Sequence, residues 1–306
     1  METANITHPN RFEDVSSAKK TFVERIVSRG DLPYVSVHEQ LKVLEEFSKT
    51  SLGRHIILTG GANGLWTDYM ISYPWRKGIH AGSMLTMSRL EYYVVFECLS
   101  VLAQRELFLR SQQVAQEHVK EGAVLVSLPC GVMRDLLELD FSKVKDINLI
   151  GIDIDREAVE AAKKLADQRN VDQVNFLMED AWELRLSKEA DFLSSIGLNV
   201  YESNRDRVVA LYGRVYEALK PQGVFFTGVL TYPPGFEKQS DWSPSLKKEQ
   251  IAMDKILIED VLDLEFQNYR TLEEIKEDFN RAGFKDVMIY PDKNCIFPAV
   301  IARKGK

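Results

Sequence analysis

From Ala123 onwards the chain alternates short apolar runs with amphipathic segments, and this alternation restricts the fold more than any other feature of the sequence. The apolar runs are 123–128, 147–153, 174–178, 192–196 and 224–230. Apolar strands joined by helices are typical of a parallel sheet covered on both faces, because each connecting helix packs back against the sheet. The pattern therefore predicts an α/β fold for the second part of the chain.

The end of the chain departs from this alternation. Thr271 and Glu274 have the spacing of a capping box, and Gly283 is expected to end the helix that they begin. Two strand-like runs, 285–290 and 296–303, then follow with only a short segment between them. Strands joined by a short loop pair antiparallel, so we predict one antiparallel strand in an otherwise parallel sheet.

Two helices inside the alternating part have recognisable N-termini. Asp155 is predicted to cap the helix 156–169, because a carboxylate at this position accepts hydrogen bonds from the first backbone N–H groups. Ser203 and Asp206 resemble a capping box that begins the helix ending at Leu219. Both helices connect predicted strands.

The sequence before residue 121 is helical in character. Residues 37–47 place apolar side chains at helical spacing, and residues 84–118 contain neither Gly nor Pro. The second stretch predicts one long helix or a helical hairpin. We therefore expect two parts, a helical N-terminal extension over residues 1–120 and a sheet domain over residues 121–306.

Composition limits the partners and the compartment. Lys and Arg number 39 and Asp and Glu 46, a formal charge of −7, which argues against a surface that follows a nucleic-acid backbone. No apolar run approaches the roughly 18 to 20 residues that span a bilayer. The sparse cysteines, Cys98, Cys130 and Cys295, have no metal-site spacing and suggest no disulfide framework. We expect a cytoplasmic protein with no metal, membrane or nucleic-acid partner.

In a doubly wound sheet the ligand lies beyond the carboxyl ends of the strands, so the residues that follow each strand are candidates for binding. The tight turn Pro129-Cys130-Gly131 follows the first strand, where backbone N–H groups can hold a carboxylate. Asp153 follows the second strand, and its carboxylate can accept hydrogen bonds from both hydroxyls of a ribose. A nucleotide-like ligand is therefore expected at this edge.

The third and fourth strands end in further candidates. After the third, Asp180 can accept a hydrogen bond from an exocyclic amine while Ala181 donates its backbone N–H to a ring nitrogen; Asp180 can alternatively cap a turn. After the fourth come Ser195 and Gly197, near the expected reactive end of the ligand. No G-x-S-x-G elbow surrounds Ser195, so we interpret it as scaffolding rather than as a nucleophile.

The segments VLVSLPCG, GIDID, MEDA, SSIGLN and LKPQGVFFTG, in this order, resemble the class I S-adenosylmethionine-dependent methyltransferases over about residues 120 to 306. The terminal RAGFKDVMIY and CIFPAVIARK resemble the closing helix and antiparallel hairpin of that family. The resemblance implies a doubly wound, Rossmann-like, seven-stranded sheet with a terminal antiparallel strand and S-adenosylmethionine as cofactor. It places the methionine part at Gly131, the ribose at Asp153 and the adenine at Asp180.

The first motif departs from the family pattern. Ser127 stands where the family has an acidic residue, and Pro129 and Met133 stand where it has glycines. A cofactor-binding module without catalysis therefore remains an alternative. The full set of cofactor contacts that we predict is Pro129, Cys130, Gly131, Asp153, Ile154, Asp180, Ala181, Ser195, Gly197, Trp66 and Tyr69.

A glycine-rich segment near residue 60 resembles the nucleotide loop of short-chain dehydrogenases, and Tyr73 with Lys77 adds a Y-x-x-x-K pattern. Trp66 occupies the place of the last glycine, however, and Pro74 disrupts the helix that would align Tyr with Lys. We therefore rank an NAD(P)-dependent dehydrogenase last. The aromatic segment 66–76 is interpreted instead as a lid, because such rings cover flat or cationic groups.

Methyl transfer to an oxygen or nitrogen atom of a small molecule is the activity that these features favour. A general base helps if the acceptor is a hydroxyl, and we select His80 and Tyr201 as catalytic residues. They are chosen from six candidates near the strand ends: Asp68, Tyr69, His80, Tyr201, Glu202 and Tyr232. No Asn-Pro-Pro-Tyr signature for a flipped nucleobase follows the fourth strand. The insertion 236–269 is expected either to wall the acceptor pocket or to form a homodimer contact.

Overall fold

The computed structural model describes residues 12–75, 87–236, 238–264, 266 and 268–306. They form two compact units. One consists of residues 12–75, 87–102 and 245–264, and the other of residues 103–236, 238–244, 266 and 268–306. Part of the insertion after the fifth strand thus belongs to the first unit. The functional division into a lid over residues 1–120 and a catalytic domain over residues 121–306 stays a prediction.

The first unit is helical. Its helices are α1 (Val15–Arg29), α2 (Val37–Phe47), α3 (Ser51–Thr59), α4 (Gly64–Ser72), α5 (Arg89–Phe96), the start of α6 (Leu99–Glu117) and α10 (Lys248–Lys255), which continues as the π-helix Ile256–Val261. Their apolar faces share one core, with Phe22, Phe47, Ile56, Leu257 and Val261 in it. The prediction of α2 is confirmed, and a capping box between Ser36 and Glu39 begins it.

Residues 84–118, predicted to form one long helix or a helical hairpin, contain two helices within the described part. α5 ends at Phe96, and α6 begins at Leu99. Asp254 from the insertion accepts a hydrogen bond from the Leu99 N–H at 2.8 Å and another from the Tyr93 hydroxyl. A buried carboxylate from a distant segment therefore satisfies the first N–H of α6, a contact that the local sequence does not show.

The glycine-rich segment near residue 60 joins two helices. Ile56 to Thr59 form the last turn of α3, Gly60 ends that helix in the left-handed conformation with φ 72°, and Asn63 caps α4. A dinucleotide loop needs a strand before the glycines so that the phosphates meet the following helix. The helix at this place argues against the dehydrogenase alternative.

The second unit contains the predicted sheet. Its strands are β1 (Ala123–Ser127), β2 (Ile147–Ile152), β3 (Val174–Leu177), β4 (Ala190–Ser195), β5 (Leu219–Gly228), β6 (Asp286–Tyr290) and β7 (Ala299–Arg303). The connecting helices are α7 (Arg134–Leu137), α8 (Arg156–Arg169), α9 (Arg205–Ala218) and α11 (Leu272–Arg281). The seven strands lie in the order β3-β2-β1-β4-β5-β7-β6, with β7 antiparallel to β5 and to β6. The predicted Rossmann-like sheet with a terminal antiparallel strand is confirmed.

The strand order places the ligand edge. β1 lies between β2 and β4 and is parallel to both. The chain adds β2 and β3 on one side of β1 and then crosses to add β4 and β5 on the other side. This reversal leaves a crevice beyond the carboxyl ends of β1 and β4. The core beneath it is apolar, with Phe192, Leu193 and Phe225 fully buried.

Two local predictions have different outcomes. Asp155 caps α8 as expected, through a hydrogen bond from the Glu157 N–H to its Oδ1 at 2.9 Å. The prediction of Ser203 as the cap of α9 is wrong, because Asn204 accepts from the N–H groups of Asp206 and Arg207 and begins the helix one residue later. In the described part of the chain, no helix has the length and apolar content needed to cross a membrane.

Candidate functional site

The carboxylate of Asp153 joins the end of β2 to the loop that follows β1. Its Oδ2 accepts a hydrogen bond from the Gly131 N–H at 2.8 Å, and its Oδ1 accepts one from the Asp155 N–H at 2.9 Å. Burial raises the pKa of Asp153, while the two backbone hydrogen bonds act in the opposite direction. Each carboxylate oxygen can accept a further hydrogen bond, which is what a pair of vicinal hydroxyls requires.

The loop after β1 keeps a left-handed backbone at two positions. Gly131 has φ 50° and Met133 has φ 56°. This conformation favours glycine because it brings Cβ close to the backbone, and it costs other residues on the order of 1 kcal/mol. Met133 is nevertheless buried. Met133 thus adopts, without being a glycine, a conformation that glycine favours.

Met133 fits here because β2 has a glycine opposite it. A Cβ atom on Gly151 would lie 2.9 Å from Met133 Sδ and 2.9 Å from a ring carbon of Phe176. Real Cβ atoms do not approach other atoms so closely, so the thioether occupies the space that a side chain at 151 would need. A large side chain at 133 and a glycine at 151 together allow the loop to pack against β2.

Asp135 is a functional candidate that the sequence patterns did not indicate. Its carboxylate is buried and accepts hydrogen bonds from Ser194 Oγ at 2.7 Å and from Ser127 Oγ at 3.1 Å. Burial raises the pKa of Asp135, and the two hydroxyls partly offset that effect. A carboxylate thus lies beside Ser127, and it is supplied by Asp135 in α7, the helix after the loop. The signal available in the sequence was an acid soon after a serine that ends a strand.

Cys130 lies within the same loop and is buried. Burial raises the pKa of the Cys130 thiol well above its ordinary value, and the nearby carboxylates of Asp153 and Asp135 raise it further. The Cys130 N–H donates to the Ile152 carbonyl at 2.8 Å. A protonated, buried thiol is a poor nucleophile, which fits the interpretation of Cys130 as a turn residue.

Two large apolar side chains are exposed beside this polar centre. Ile154, after β2, is 42% exposed, and Met178, after β3, is 51% exposed. β2 and β3 are neighbours, and the Asp153 N–H donates to the Leu177 carbonyl at 3.1 Å, so the two side chains follow adjacent strand ends. Ile154 is among the contacts that the sequence analysis predicts, and the exposure of Met178 makes it an additional candidate. Exposed apolar groups beside a carboxylate suit a ligand that has both a flat ring and hydroxyls.

Asp180 caps a short turn. Its Oδ1 accepts from the Trp182 N–H at 2.9 Å and begins the 3₁₀ helix Ala181–Glu183, in which Ala181 is buried. This is the alternative that we left open for Asp180 from the sequence. A capping carboxylate retains a second oxygen for a ligand, so the contact with an adenine amine stays a prediction.

The end of β4 is held in place by hydrogen bonds. The Ser195 carbonyl accepts from the Thr227 hydroxyl, Ser195 is buried, and Gly197 turns the chain with φ 90°. Asn199 donates through Nδ2 to the Tyr212 hydroxyl at 2.8 Å and to the Gly228 carbonyl at 2.9 Å. Ser195 thus has the surroundings of a scaffold residue, and Asn199 ties the ends of β4 and β5 together.

Known proteins with similar sequences or structures agree with this geometry. Residues 126–223 match the family model of a methyltransferase domain. A crystal structure from Bordetella parapertussis, named as a possible exported protein, is 31% identical, and the match covers 96% of each chain with a TM-score of 0.87. The S-adenosylmethionine-dependent methyltransferase SibL in its apo form is 13% identical, with 95% of each chain covered and a TM-score of 0.52.

Residues 126–223 thus match a methyltransferase domain, and the chain shares the fold of an S-adenosylmethionine-dependent methyltransferase.

A second structure with this fold, from Nostoc punctiforme and provisionally named an O-methyltransferase, is 14% identical, with a TM-score of 0.51 over 94% of this chain and 95% of that one. These two matches at low identity concern the fold. No curated protein matches the chain at a significant level. Within the described ranges, no group of three or more His, Cys, Asp or Glu side chains is placed to hold a metal ion.

Tyr201 and His80 are the two general bases that the sequence predicts. Tyr201 ends the short helix Asn199–Tyr201, its ring centroid lies 5.9 Å from that of Phe266, and burial raises its pKa to about 12. Its phenol therefore keeps its proton at neutral pH and suits a hydrogen-bond donor. His80 lies outside the described residues.

Trp66 and Tyr69 lie on α4 in the helical unit. The Trp66 ring centroid is 5.4 Å from that of Tyr69 and 5.5 Å from that of His55, and the Tyr69 hydroxyl donates to Glu91 Oε1 at 3.2 Å. Both side chains pack against the core of that unit. Their contact with a cofactor stays a prediction of the sequence.

Proposed function

We propose that this chain binds S-adenosylmethionine at the carboxyl ends of β1 to β4 and transfers its methyl group to a nitrogen or oxygen atom of a small molecule. The observation that carries the proposal is the bridge from the Gly131 N–H to Asp153 Oδ2. This hydrogen bond joins a loop that can hold an amino-acid group to a carboxylate that can hold a ribose. Both lie where the strand order reverses, which is the usual ligand site of this fold.

The residues at this edge fit the cofactor. Asp153 would accept hydrogen bonds from the ribose hydroxyls, Ile154 and Met178 would cover the adenine ring, and the loop through Gly131 would hold the methionine part. When bound, the cofactor supplies a methyl group on a sulfonium, which is already activated for displacement. The chain then has to orient the acceptor and exclude water, because those two effects provide most of the acceleration in such a displacement.

The alternative of a non-catalytic binding module rests on the departures in the first motif. Two features support a loop that can still hold the cofactor. Met133 has the left-handed backbone conformation that glycine favours, and the Asp135 carboxylate accepts a hydrogen bond from Ser127. We therefore favour catalysis over binding alone. Release of S-adenosylhomocysteine distinguishes the two, since a binding module consumes no cofactor.

A small acceptor is supported by the net charge of −7, which disfavours nucleic acid. Tyr201 would act as a protonated donor toward the acceptor and His80 as its general base. The cytoplasm is proposed as the compartment on the cysteine content, and Cys98, Cys130 and Cys295 are all free thiols. A homodimer is proposed as one use of the insertion after β5.

Isothermal titration of the folded chain tests the proposal. We expect heat of binding with S-adenosylmethionine and none with a nicotinamide dinucleotide. Absence of heat with S-adenosylmethionine, in a sample whose circular dichroism shows a folded protein, would overturn the proposed function. A second assay adds fractionated small metabolites and follows S-adenosylhomocysteine by mass. Binding without release in every fraction would favour the non-catalytic module.

A further inference from the structure

Three aromatic side chains form a cluster where the chain leaves β5. The ring centroids of Tyr232, Phe236 and Tyr269 are 6.1, 5.9 and 5.3 Å apart in the pairs 232–236, 232–269 and 236–269. Tyr269 is held beside the end of β5 because its segment pairs with Leu230 in a parallel bridge. We call these three residues the aromatic cluster. It follows the carboxyl end of a central strand, where ligands bind in this fold.

The aromatic cluster is partly exposed to solvent, chiefly at Phe236. Phe236 is 46% exposed, while Tyr232 and Tyr269 are each half-buried. Contacting aromatic rings that remain exposed are unusual in a chain that has an apolar core available, and they commonly mark a binding surface. The tilts between the rings, 33° to 54°, turn their faces in different directions.

The ammonium group of Lys238 already contacts the aromatic cluster. Lys238 Nζ lies 5.4 Å from the centroid of the Tyr232 ring and forms an ion pair with Glu274 Oε1. The other carboxylate oxygen, Glu274 Oε2, accepts from the Thr271 N–H at 2.9 Å in the capping box of α11. The helix cap therefore fixes the carboxylate, and the ammonium group has a ring face and an anion as partners.

The Lys238 ammonium is a weakly held occupant. The Lys238 side chain is 48% exposed and that of Glu274 is 16% exposed, and an ion pair of a half-exposed, flexible lysine contributes little because ordering the lysine side chain costs entropy. A ring face attracts any organic cation, and more strongly when the cation is poorly hydrated, as N-methylated ammonium groups are. A ligand ammonium can thus replace Lys238 Nζ at a small cost.

We propose that the aromatic cluster and Glu274 form a binding site for the ammonium group of a small organic amine, with Lys238 as the intramolecular group that this ligand displaces. If the proposed methyl transfer holds, the site anchors the acceptor and assigns it to the class of small cationic amines. The cation-binding part rests on the contacts of Tyr232, Lys238 and Glu274, independently of the cofactor.

Choline and its uncharged carbon analogue 3,3-dimethyl-1-butanol test the charge requirement. Both are titrated into the full chain at constant ionic strength, and binding is followed by calorimetry and by tryptophan fluorescence. Trp242 reports on this region because its indole N–H donates to the Thr231 carbonyl at 3.4 Å, next to Tyr232. We expect choline to bind at least tenfold more tightly than the alcohol. Equal affinities, or no binding of choline, would overturn the proposal.

Variants separate the site from general packing. Lys238→Met removes the competing cation and is expected to raise choline affinity severalfold, whereas the matched surface change Lys163→Met leaves it unchanged. Tyr232→Leu is expected to lower choline affinity at least tenfold, and Tyr232→Phe, which keeps the ring face, to retain it. If Tyr232→Leu does not fold, the comparison between Lys238→Met and Lys163→Met decides, and equal choline affinities of those two variants would contradict the proposal.

Titration of the same variants with S-adenosylmethionine distinguishes failure of the amine site from failure of the proposed function. We expect cofactor affinity to be the same in Lys238→Met and in the wild type. Choline binding without cofactor binding would overturn the proposed function alone. Cofactor binding without choline binding would overturn the amine site alone.

Discussion

Ser127 and Ser194 are register partners on the neighbouring strands β1 and β4, and both hydroxyls donate to the carboxylate of Asp135. One buried acid therefore connects two strand ends to the first turn of α7. The carboxylate lies away from water, and each hydroxyl replaces part of the hydration that it loses. This connection sets the position of the loop on which the cofactor proposal depends.

The raised pKa of Asp135 predicts how stability changes with pH. An acid whose folded pKa exceeds its unfolded value of 3.8 contributes stability that is fully present below 3.8 and is lost as the pH rises through the folded pKa. Asp135→Asn removes this loss. The free energy of unfolding of the variant, relative to the wild type, should therefore increase from about pH 4 towards neutral pH, as urea denaturation at several pH values would measure.

Asp191→Asn is the matched control for that experiment. Burial acts to raise the pKa of Asp191, but its hydrogen bonds with Lys220 and the Val124 N–H outweigh it, and the pKa lies below its ordinary value. Its contribution is present above the unfolded pKa and is lost as the pH falls. The Asp191 variant should therefore show the opposite slope. Identical slopes for the two variants would contradict the assignment of Asp135.

Asp153→Ala should weaken S-adenosylmethionine binding more than tenfold, which corresponds to about 1.4 kcal/mol or more. The loss combines the missing acceptor for the ribose with the release of the Gly131 N–H. Asp155→Ala removes a carboxylate two residues away that accepts a hydrogen bond from the N–H of Glu157 in the cap of α8. It should cost about 1 kcal/mol of stability and leave cofactor affinity unchanged. Calorimetry on both variants decides the assignment.

Gly151→Ala should destabilise the second unit by about 1 to 3 kcal/mol, because the new Cβ meets Met133 Sδ and the Phe176 ring. Met133→Ala opens space at the same contact. The double variant Gly151→Ala with Met133→Ala should therefore lose less stability than the sum of the two single changes, with a coupling of about 0.5 to 3 kcal/mol. Additive losses in urea denaturation would show that the two positions do not share one space.

Tyr201→Phe tests whether Tyr201 acts as a hydrogen-bond donor to the acceptor. A phenol with a pKa of about 12 is protonated at neutral pH, so it acts as a donor and not as a base. The variant should lower the rate of methyl transfer and leave the pH at which activity declines unchanged. A shift of the pH profile to a higher or lower midpoint would instead identify Tyr201 as the titrating group.

The fold was largely predictable because it depends on periodicity. The runs around Leu125, Leu149 and Phe192 are apolar strands with helices between them, and Thr271 with Glu274 caps α11 as the spacing indicates. Each of those features depends only on residues within one helical turn or one strand of each other. The antiparallel end followed from the short connection between the last two strands.

The site was predictable only where a residue acts from its own strand end. Asp153 is such a residue. Asp135 is not, since its role comes from Ser194, 59 positions away along the chain. The role of Met133 similarly depends on Gly151 across the sheet, and that of Asp254 on the start of α6. Contacts between distant segments leave no periodic trace in the sequence.

The path of the chain through the two units has a topological consequence. The backbone leaves the helical unit at Leu102, returns to it at Ser245 and leaves it again at 265. No single cleavage of the backbone therefore yields both units intact. A fragment beginning at Ala103 would carry Leu257 and Val261 without the N-terminal helices that bury them, and would therefore expose apolar side chains that the full chain keeps in a core.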